Sequence, residues 1–242
     1  MRKRPSVIPK LGVIAVLVAA AIVLSSPYTF LPHLLGGVFA RSIEQQMNLP
    51  KAPDVALKSD PPYKMFAGKF SRGRIVIRKA SFGNVRPDWI KINLAPFDLN
   101  IRKSLLSGSL SSGKPIGGRA RMELSQQEVN RIVASRIKTL PVGSIDLKKG
   151  GVSLRTRIEL LNMSIPISVG GRLGVRDNAL IFRPARVSAF GFAVPENLSK
   201  RFLIGAKFSY RLKDLPLKAK ITGIRVLKDH LILSGDIKLL GG

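Results

Sequence analysis

The sequence predicts an α+β protein: long, bent antiparallel strands with a few helices packed on them. Three observations predict it. Apolar and polar residues alternate at a period of two over much of the chain, as in Ile75 and Ile77 set among Arg74, Val76 and Arg78. The phase of that alternation switches at Ala95-Pro96 and again at Leu161-Asn162, which implies a bulge or bend in each long strand. Helices do not alternate regularly with strands, which disfavours a parallel βαβ fold.

The chain of 242 residues opens on MRKRPSVIPKLGVIAVLVAAAIVL. Arg2, Lys3, Arg4 and Lys10 form a positive flank, and Leu11 to Leu24 is wholly apolar or glycine. A membrane-spanning helix needs roughly 20 residues, and Ile8 to Tyr28 supplies them. An export signal needs an apolar run of about 7–15 residues, and Leu11–Leu24 also fits that. Residues 1–30 are therefore read as a membrane anchor or a cleaved signal, and residues 31–242 as a single extracytoplasmic domain.

Pro27 and Pro32 are expected to interrupt a helix leaving the leader. In HLLGGVFARSIEQQMNLP, Leu35, Phe39, Ile43 and Met47 stand four apart, the spacing of one helix face, and Pro50 and Pro53 close it. Strands follow. Ile90, Ile92 and Leu94 alternate with Lys91 and Asn93, and beyond Pro96 the apolar set becomes Phe97, Leu99 and Ile101. Ser107 to Gly118 is rich in Gly and Ser and reads as a loop or hairpin.

LSQQEVNRIVASRIKTLP is the clearest helix. Ser125 is a good N-cap, Glu128 completes a capping box, and Leu124 with Val129 is placed as a hydrophobic staple. Val129, Ile132, Val133 and Ile137 form its apolar stripe, and Pro141 closes it. Strand alternation returns at Val152, Leu154, Thr156, Ile158 and Leu160, then shifts to Met163, Ile165, Ile167 and Val169. Gly170-Gly171 and Asp177-Asn178 read as turns. A second helix carrying Leu198 and Phe202 is expected after Pro195. The end reads as a hairpin, Leu217 to Ile221 returning through Leu231 to Leu239 about a turn at Lys228-Asp229.

Charge bounds the partners. The formal net charge is +27; without the four basic residues of the leader, 37 of the 41 Lys and Arg stand against 14 acidic residues, a net of +23. Such a field favours a polyanion: an anionic membrane, a charged wall polymer or nucleic acid. With 45% hydrophobic residues the chain is no disordered basic tail. There is no cysteine, hence no disulfide or thiolate metal site.

His33 and His230 are the only histidines, and His33 adjoins the leader, so no metal and no cofactor is expected. No C-x-x-C, H-E-x-x-H, P-loop or G-x-S-x-G pattern occurs. Acidic residues are few and scattered, among them Asp54, Asp88, Asp98, Asp146 and Asp214, so no enzyme is expected. Phenylalanines and Trp89 among basic residues resemble a stacking platform for single strands. No nucleic-acid module signature accompanies them, and the leader directs the domain away from nucleic acid. Lipid fits both properties: anionic headgroups are drawn to Lys and Arg, and acyl chains to an apolar interior.

Several segments resemble one family. They are PPYKMFAGKFSRGRIVIRKASF, SLLSGSLSSGKPIGGRARMELSQQEVNRIV, the long strand region from VGSIDLKKGG to FGFAVP, and Asp214-Leu215-Pro216-Leu217 followed by ITGIRVLKDHLILSG. In order and spacing, over about residues 50–240, they resemble the LmeA-like phospholipid-binding family. The resemblance implies a bacterial envelope protein that binds phospholipid, anionic lipids among them, without a catalytic motif. It also implies a bent sheet wrapped around helices, similar to tubular lipid-binding folds. The high charge departs from what the family leads one to expect.

The expected function is binding, with or without transfer, of anionic phospholipid in the cell envelope. Leu35, Phe39, Ile43, Val129, Ile132, Val133, Ile137 and Phe202 are the candidates for an apolar groove. Arg72, Arg74, Arg78, Arg155, Arg157, Lys218 and Lys220 are the candidates for headgroup or membrane contact. The rival is a non-catalytic envelope scaffold that binds anionic wall polymer through the same charges.

Overall fold

The computed structural model describes residues 30–82, 85–136, 142–160, 163–195, 197, 199–200, 208–211 and 219–239. Among them the chain forms three α-helices and two large antiparallel sheets, the α+β arrangement the alternation predicts. Asn197, Ser199 and Lys200 of the helix expected after Pro195 are helical; the leader, Leu198 and the candidates Ile137, Phe202 and Lys218 lie outside the described residues.

Helix α1 (Phe30–Met47) begins ahead of Pro32 rather than after it. Proline is tolerated in a first turn, where its missing N–H has no intrahelical acceptor to lose. The helix ends before either expected proline: Asn48 turns left-handed at φ 48°, and the Leu49 N–H donates back to the Glu44 carbonyl at 2.9 Å. Gly36 lets the helix lie close on the next strand, since a Cβ there would stand 3.3 Å from the Val55 carbonyl oxygen.

Six strands make the first sheet: β1 (Asp54–Lys58), β3 (Arg72–Arg78), β4 (Trp89–Leu94), β6 (Ile116–Ser125), β13 (Lys220–Val226) and β14 (His230–Leu239). Their order is β1-β3-β4-β6-β14-β13, antiparallel throughout. The period-two reading holds here. Ile75, Ile77, Ile90, Ile92, Leu94, Leu231, Leu233 and Ile237 all turn to one buried face.

A two-stranded piece, β2 (Lys69–Phe70) with β5 (Phe97–Asp98), packs beside this sheet. It explains the phase change at Pro96: β4 ends at Leu94, and Phe97 belongs to a different pairing, so the expected bulge is a strand end. The stretch read as continuing strand at Ile101 is instead a short helix, α2 (Ile101–Ser107). The Asn100 side chain accepts from the Lys103 N–H at 3.0 Å, and Gly108 ends the helix at φ 64°.

The second sheet runs β11 (Phe192–Ala193), β10 (Ala179–Ala189), β9 (Met163–Arg176), β8 (Gly151–Leu160), β7 (Val142–Lys148), with β12 (Phe208–Arg211) also on β10. Leu160 pairs with Met163, so the phase change at Leu161-Asn162 is a chain reversal and not a bulge. Register shifts do occur, at Pro184/Arg186, Ile221/Gly223 and Val142/Ser144.

Helix α3 (Gln126–Arg136) joins the sheets. Its polar side chains take the place of a neighbouring strand for the edge strand β7. Gln126 accepts from the Leu147 N–H at 2.9 Å; Asn130 accepts from the Ile145 N–H at 2.5 Å and donates to the Ile145 carbonyl at 3.1 Å. The capping box forms by half. Ser125 Oγ accepts from the Glu128 N–H at 3.4 Å, but the Glu128 carboxylate turns to the Arg86 N–H at 2.7 Å and to Arg131. Burial alone would raise the Glu128 pKa; the Arg131 guanidinium and the Arg86 N–H outweigh it and hold the carboxyl below its usual range.

Further bonds tie the sheets edge to edge. Asn178, left-handed in the β9–β10 turn at φ 59°, accepts from the Ile221 N–H at 2.8 Å. The Gly150 N–H donates to the Val226 carbonyl at 3.1 Å. The buried faces of both sheets and the inward faces of α1 and α3 form one apolar core.

Candidate functional site

The apolar candidates fall on two elements. Leu35, Phe39 and Ile43 form the buried face of α1, each no more than 1% exposed. The Phe39 ring centroid lies 5.7 Å from that of Phe97, which stacks on Phe70 at 5.0 Å. Val129 and Val133 are buried on α3, with Ile132 half-buried beside them. Helix α1 packs chiefly on β1 and α3 chiefly on β7, so the two sets are held by different strands.

The space between α1 and the first sheet is small. An apolar gap of about 50 Å³ lies between Met47 and Ile92, Met122, Ile221, Leu233 and Ile237. Small-molecule pockets are commonly about 300–1,000 Å³.

The opposite face of the first sheet is cationic. Pairing sets its residues in rows, and one row across the strands reads Arg74, Asn93, Arg119, Asp236, Lys220. In the next row Lys91 and Arg121 stand directly opposite each other. Like charges placed so destabilise a sheet by roughly 0.2–1 kcal/mol relative to neutral pairs. Lys91 Nζ lies 4.2 Å over the Trp89 ring, and Arg78 is tied to Asp54 at 3.1 Å. Arg119, Arg121, Lys220, Asp236 and Lys238 line a wide, open concavity of about 1370 Å³ on this face.

Of the cationic candidates, Arg72, Arg74, Arg78 and Lys220 thus share the first sheet's outer face. Arg155 and Arg157 lie elsewhere, on the outer face of the second sheet. They border a cleft of about 590 Å³ with Ser144, Ser168, Ser188 and the exposed Phe190. Arg155 is ion-paired there with Asp146.

Lys91, Arg119, Arg121 and Lys238 were missed as candidates. A signal existed for three of them: Lys91 alternates with Ile90 and Ile92 in a stretch read as a strand. Arg119 and Arg121 alternate with Ala120 and Met122, the period of a strand, in a stretch left unassigned between the loop and the helix. The fold also brings Asp88, Glu123 and His230 together, their ligand atoms within 4.8 Å of one another. The expectation of no metal had rested on His33 standing apart and did not foresee this grouping.

A family profile described as LmeA-like phospholipid-binding matches residues 28–236. The chain belongs to the LmeA-like phospholipid-binding family. Phospholipid binding follows from membership at that level. No curated protein and no solved structure matches the chain. Among the described residues no helix is long and apolar enough to cross a membrane. The leader, on which the expected anchor falls, lies outside them.

Proposed function

We propose that this LmeA-like protein binds anionic phospholipid in the cell envelope without catalysing a reaction on it. The outer face of the first sheet meets headgroups of the surrounding bilayer, and the apolar layer between α1 and the sheet's other face receives acyl chain. Residues 1–30 hold the domain, residues 31–242, at the membrane. The observation that carries the anionic preference is the cation pair Lys91–Arg121, set beside a row in which Arg74, Arg119 and Lys220 stand against the single carboxylate of Asp236. A fold that keeps like charges opposed gains when an anion sits between them. Arg72 extends the same face; Arg155, ion-paired with Asp146, and Arg157 lie on the other sheet and take no part in this contact.

One observation favours a second reading. The apolar gap of about 50 Å³ is far smaller than a ligand pocket. A closed core with a cationic face also suits a scaffold that binds anionic wall polymer.

The test compares full-length protein with the variant Arg74→Gln/Arg119→Gln/Arg121→Gln/Lys220→Gln. Both are purified from bacterial membranes in mild detergent, and the bound lipid is extracted and identified. The proposed reading expects the parent protein to carry phospholipid enriched in anionic headgroups over the source membrane. The variant should still carry phospholipid, without that enrichment. Equal headgroup composition in both would defeat the assignment of the sheet face.

A further inference from the structure

One end of the first sheet carries apolar side chains that the core does not use. After β1 the chain makes a 3-10 turn (Pro62–Met65). Met65 is buried there, whereas Tyr63 is 65% and Phe66 50% exposed. Residues three apart eclipse on such a turn, so Tyr63 and Phe66 share its outer side. Helix α2 abuts this turn. The Leu99 N–H donates to the Gly68 carbonyl at 2.8 Å, and a Cβ on Gly68 would stand 3.6 Å from Ile101 Cγ1.

Helix α2 turns Ile101 and Ser104 inward and leaves Leu105 41% and Leu106 81% exposed. Four large apolar side chains therefore stand in solvent on two adjoining elements. Scattered exposed leucines are ordinary; a group of this kind with two aromatics marks an interaction surface.

Its surroundings select the occupant. Lys64, Arg102 and Lys103 lie on these same elements and Lys69 on the adjoining β2, all exposed, with Asp60 and Asp98 nearby in the chain. The tip also stands at the end of the first sheet that carries Lys58, Arg72 and Lys238. The Ser71 N–H donates to the Lys58 carbonyl at 2.9 Å. Lys238 pairs with Gly117, whose carbonyl accepts from the Ala95 N–H at 3.0 Å, just ahead of β5. An aromatic and leucine tip ringed by cations, continuous with a cationic sheet face, matches an anionic bilayer surface. Tyr and Phe rings enter the headgroup boundary, and Lys and Arg reach back to phosphate.

We infer that the tip formed by the 62–66 turn and α2 inserts into the interface of an anionic membrane, with Tyr63, Phe66, Leu105 and Leu106 as the inserting side chains. This rests on the lipid-binding reading above and adds the orientation in which the domain meets the bilayer.

The chain has no cysteine, so single reporters can be placed in it. Phe66→Cys, Leu106→Cys and Phe190→Cys are each labelled with a nitroxide in the full chain, reconstituted into vesicles of phosphatidylglycerol and phosphatidylcholine. Phe190 is the control: it is 64% exposed, as Phe66 and Leu106 are exposed, but lies in the turn between β10 and β11 of the second sheet. Labels at 66 and 106 should be reached by oxygen and shielded from a water-soluble nickel chelate, and the label at 190 should show the reverse. In vesicles of phosphatidylcholine alone, the 66 and 106 labels should return toward the aqueous pattern.

Labels at 66 and 106 that stay as aqueous as 190 in the anionic vesicles would overturn the inference and leave the tip to a protein partner. Lipid extraction from the same unlabelled protein separates the two failures. Anionic phospholipid retained with an aqueous tip defeats the tip alone. No retained phospholipid defeats the lipid reading beneath it.

Discussion

Replacing Glu128 tests how α3 is fixed to the fold. Glu128 is 8% exposed, and its carboxylate accepts the Arg86 N–H at 2.7 Å from a segment 42 residues away. It also pairs with the Arg131 guanidinium, whose side chain is 43% exposed. Glu128→Gln keeps an acceptor for Arg86 and loses the ion pair. Because Arg131 can turn to water, that loss is about 1 kcal/mol or less. Glu128→Ala also leaves the Arg86 N–H without its acceptor, which adds about 1–3 kcal/mol.

Urea unfolding followed by circular dichroism should therefore place Glu128→Ala well below Glu128→Gln, and both below the parent. The pH dependence has a fixed sign. The folded-state pKa of Glu128 lies below its ordinary value, so its contribution is fully present above the unfolded carboxylate value of about 4.3. The contribution is lost as pH falls from there through the depressed folded value. The gap between the parent and Glu128→Gln should accordingly close in acid. Equal stability of the Ala and Gln variants, or a gap that widens in acid, would refute the reasoning.

Three further outcomes follow from the packing. A Cβ at Gly171 would stand 2.4 Å from the Arg183 carbonyl oxygen and 2.7 Å from the Phe182 ring. Gly171→Ala should cost about 1–3 kcal/mol, seen as a lower urea midpoint at unchanged slope. Asn130→Ala removes both bonds to Ile145 at the edge of β7, and hydrogen exchange at the Ile145 amide should quicken by one or two orders of magnitude, about 1–3 kcal/mol. Arg121→Gln relieves the cation pair with Lys91 and leaves the Lys91–Trp89 contact in place, so stability should be equal or higher by about 0.2–1 kcal/mol, while retention of anionic lipid weakens.

Much of the fold was legible because burial is one-sided. Ile75, Ile77, Ile90, Ile92 and Leu94 alternate cleanly because their strands have one face to the core and one to solvent. Leu35, Phe39 and Ile43 repeat every four residues for the same reason on α1. The phase changes were visible and misassigned. Leu160 and Met163 pair across a tight reversal, so the alternation restarts there although their spacing is odd. A bulge shifts the alternation in the same way, and sequence alone does not separate the two. Helix α2 was hidden because seven residues, IRKSLLS, are too few to show a helical period; its caps, Asn100 and Gly108, were the available signal.

The cationic face was half legible. Arg74 and Lys220 stood out as the polar partners of alternating strands. The opposition of Lys91 and Arg121 depends on a β4–β6 register that the long intervening stretch of chain conceals. Arg155 and Arg157 looked the same in sequence, yet they lie on a different sheet. Nothing in the spacing of Asp88, Glu123 and His230 announces that they meet.

The measurement that bears most directly on lipid binding is native mass spectrometry of the full chain, purified from bacterial membranes with no lipid added. A wash at about 0.5 M salt, where the screening length falls to a few ångströms, strips ions held by surface charge alone. Phospholipid retained through that wash at a near-stoichiometric ratio is the predicted result, since acyl chains buried against α1 are indifferent to salt. Lipid absent from the start, or lost in the wash, would contradict an apolar site and leave the cationic face to a wall polymer.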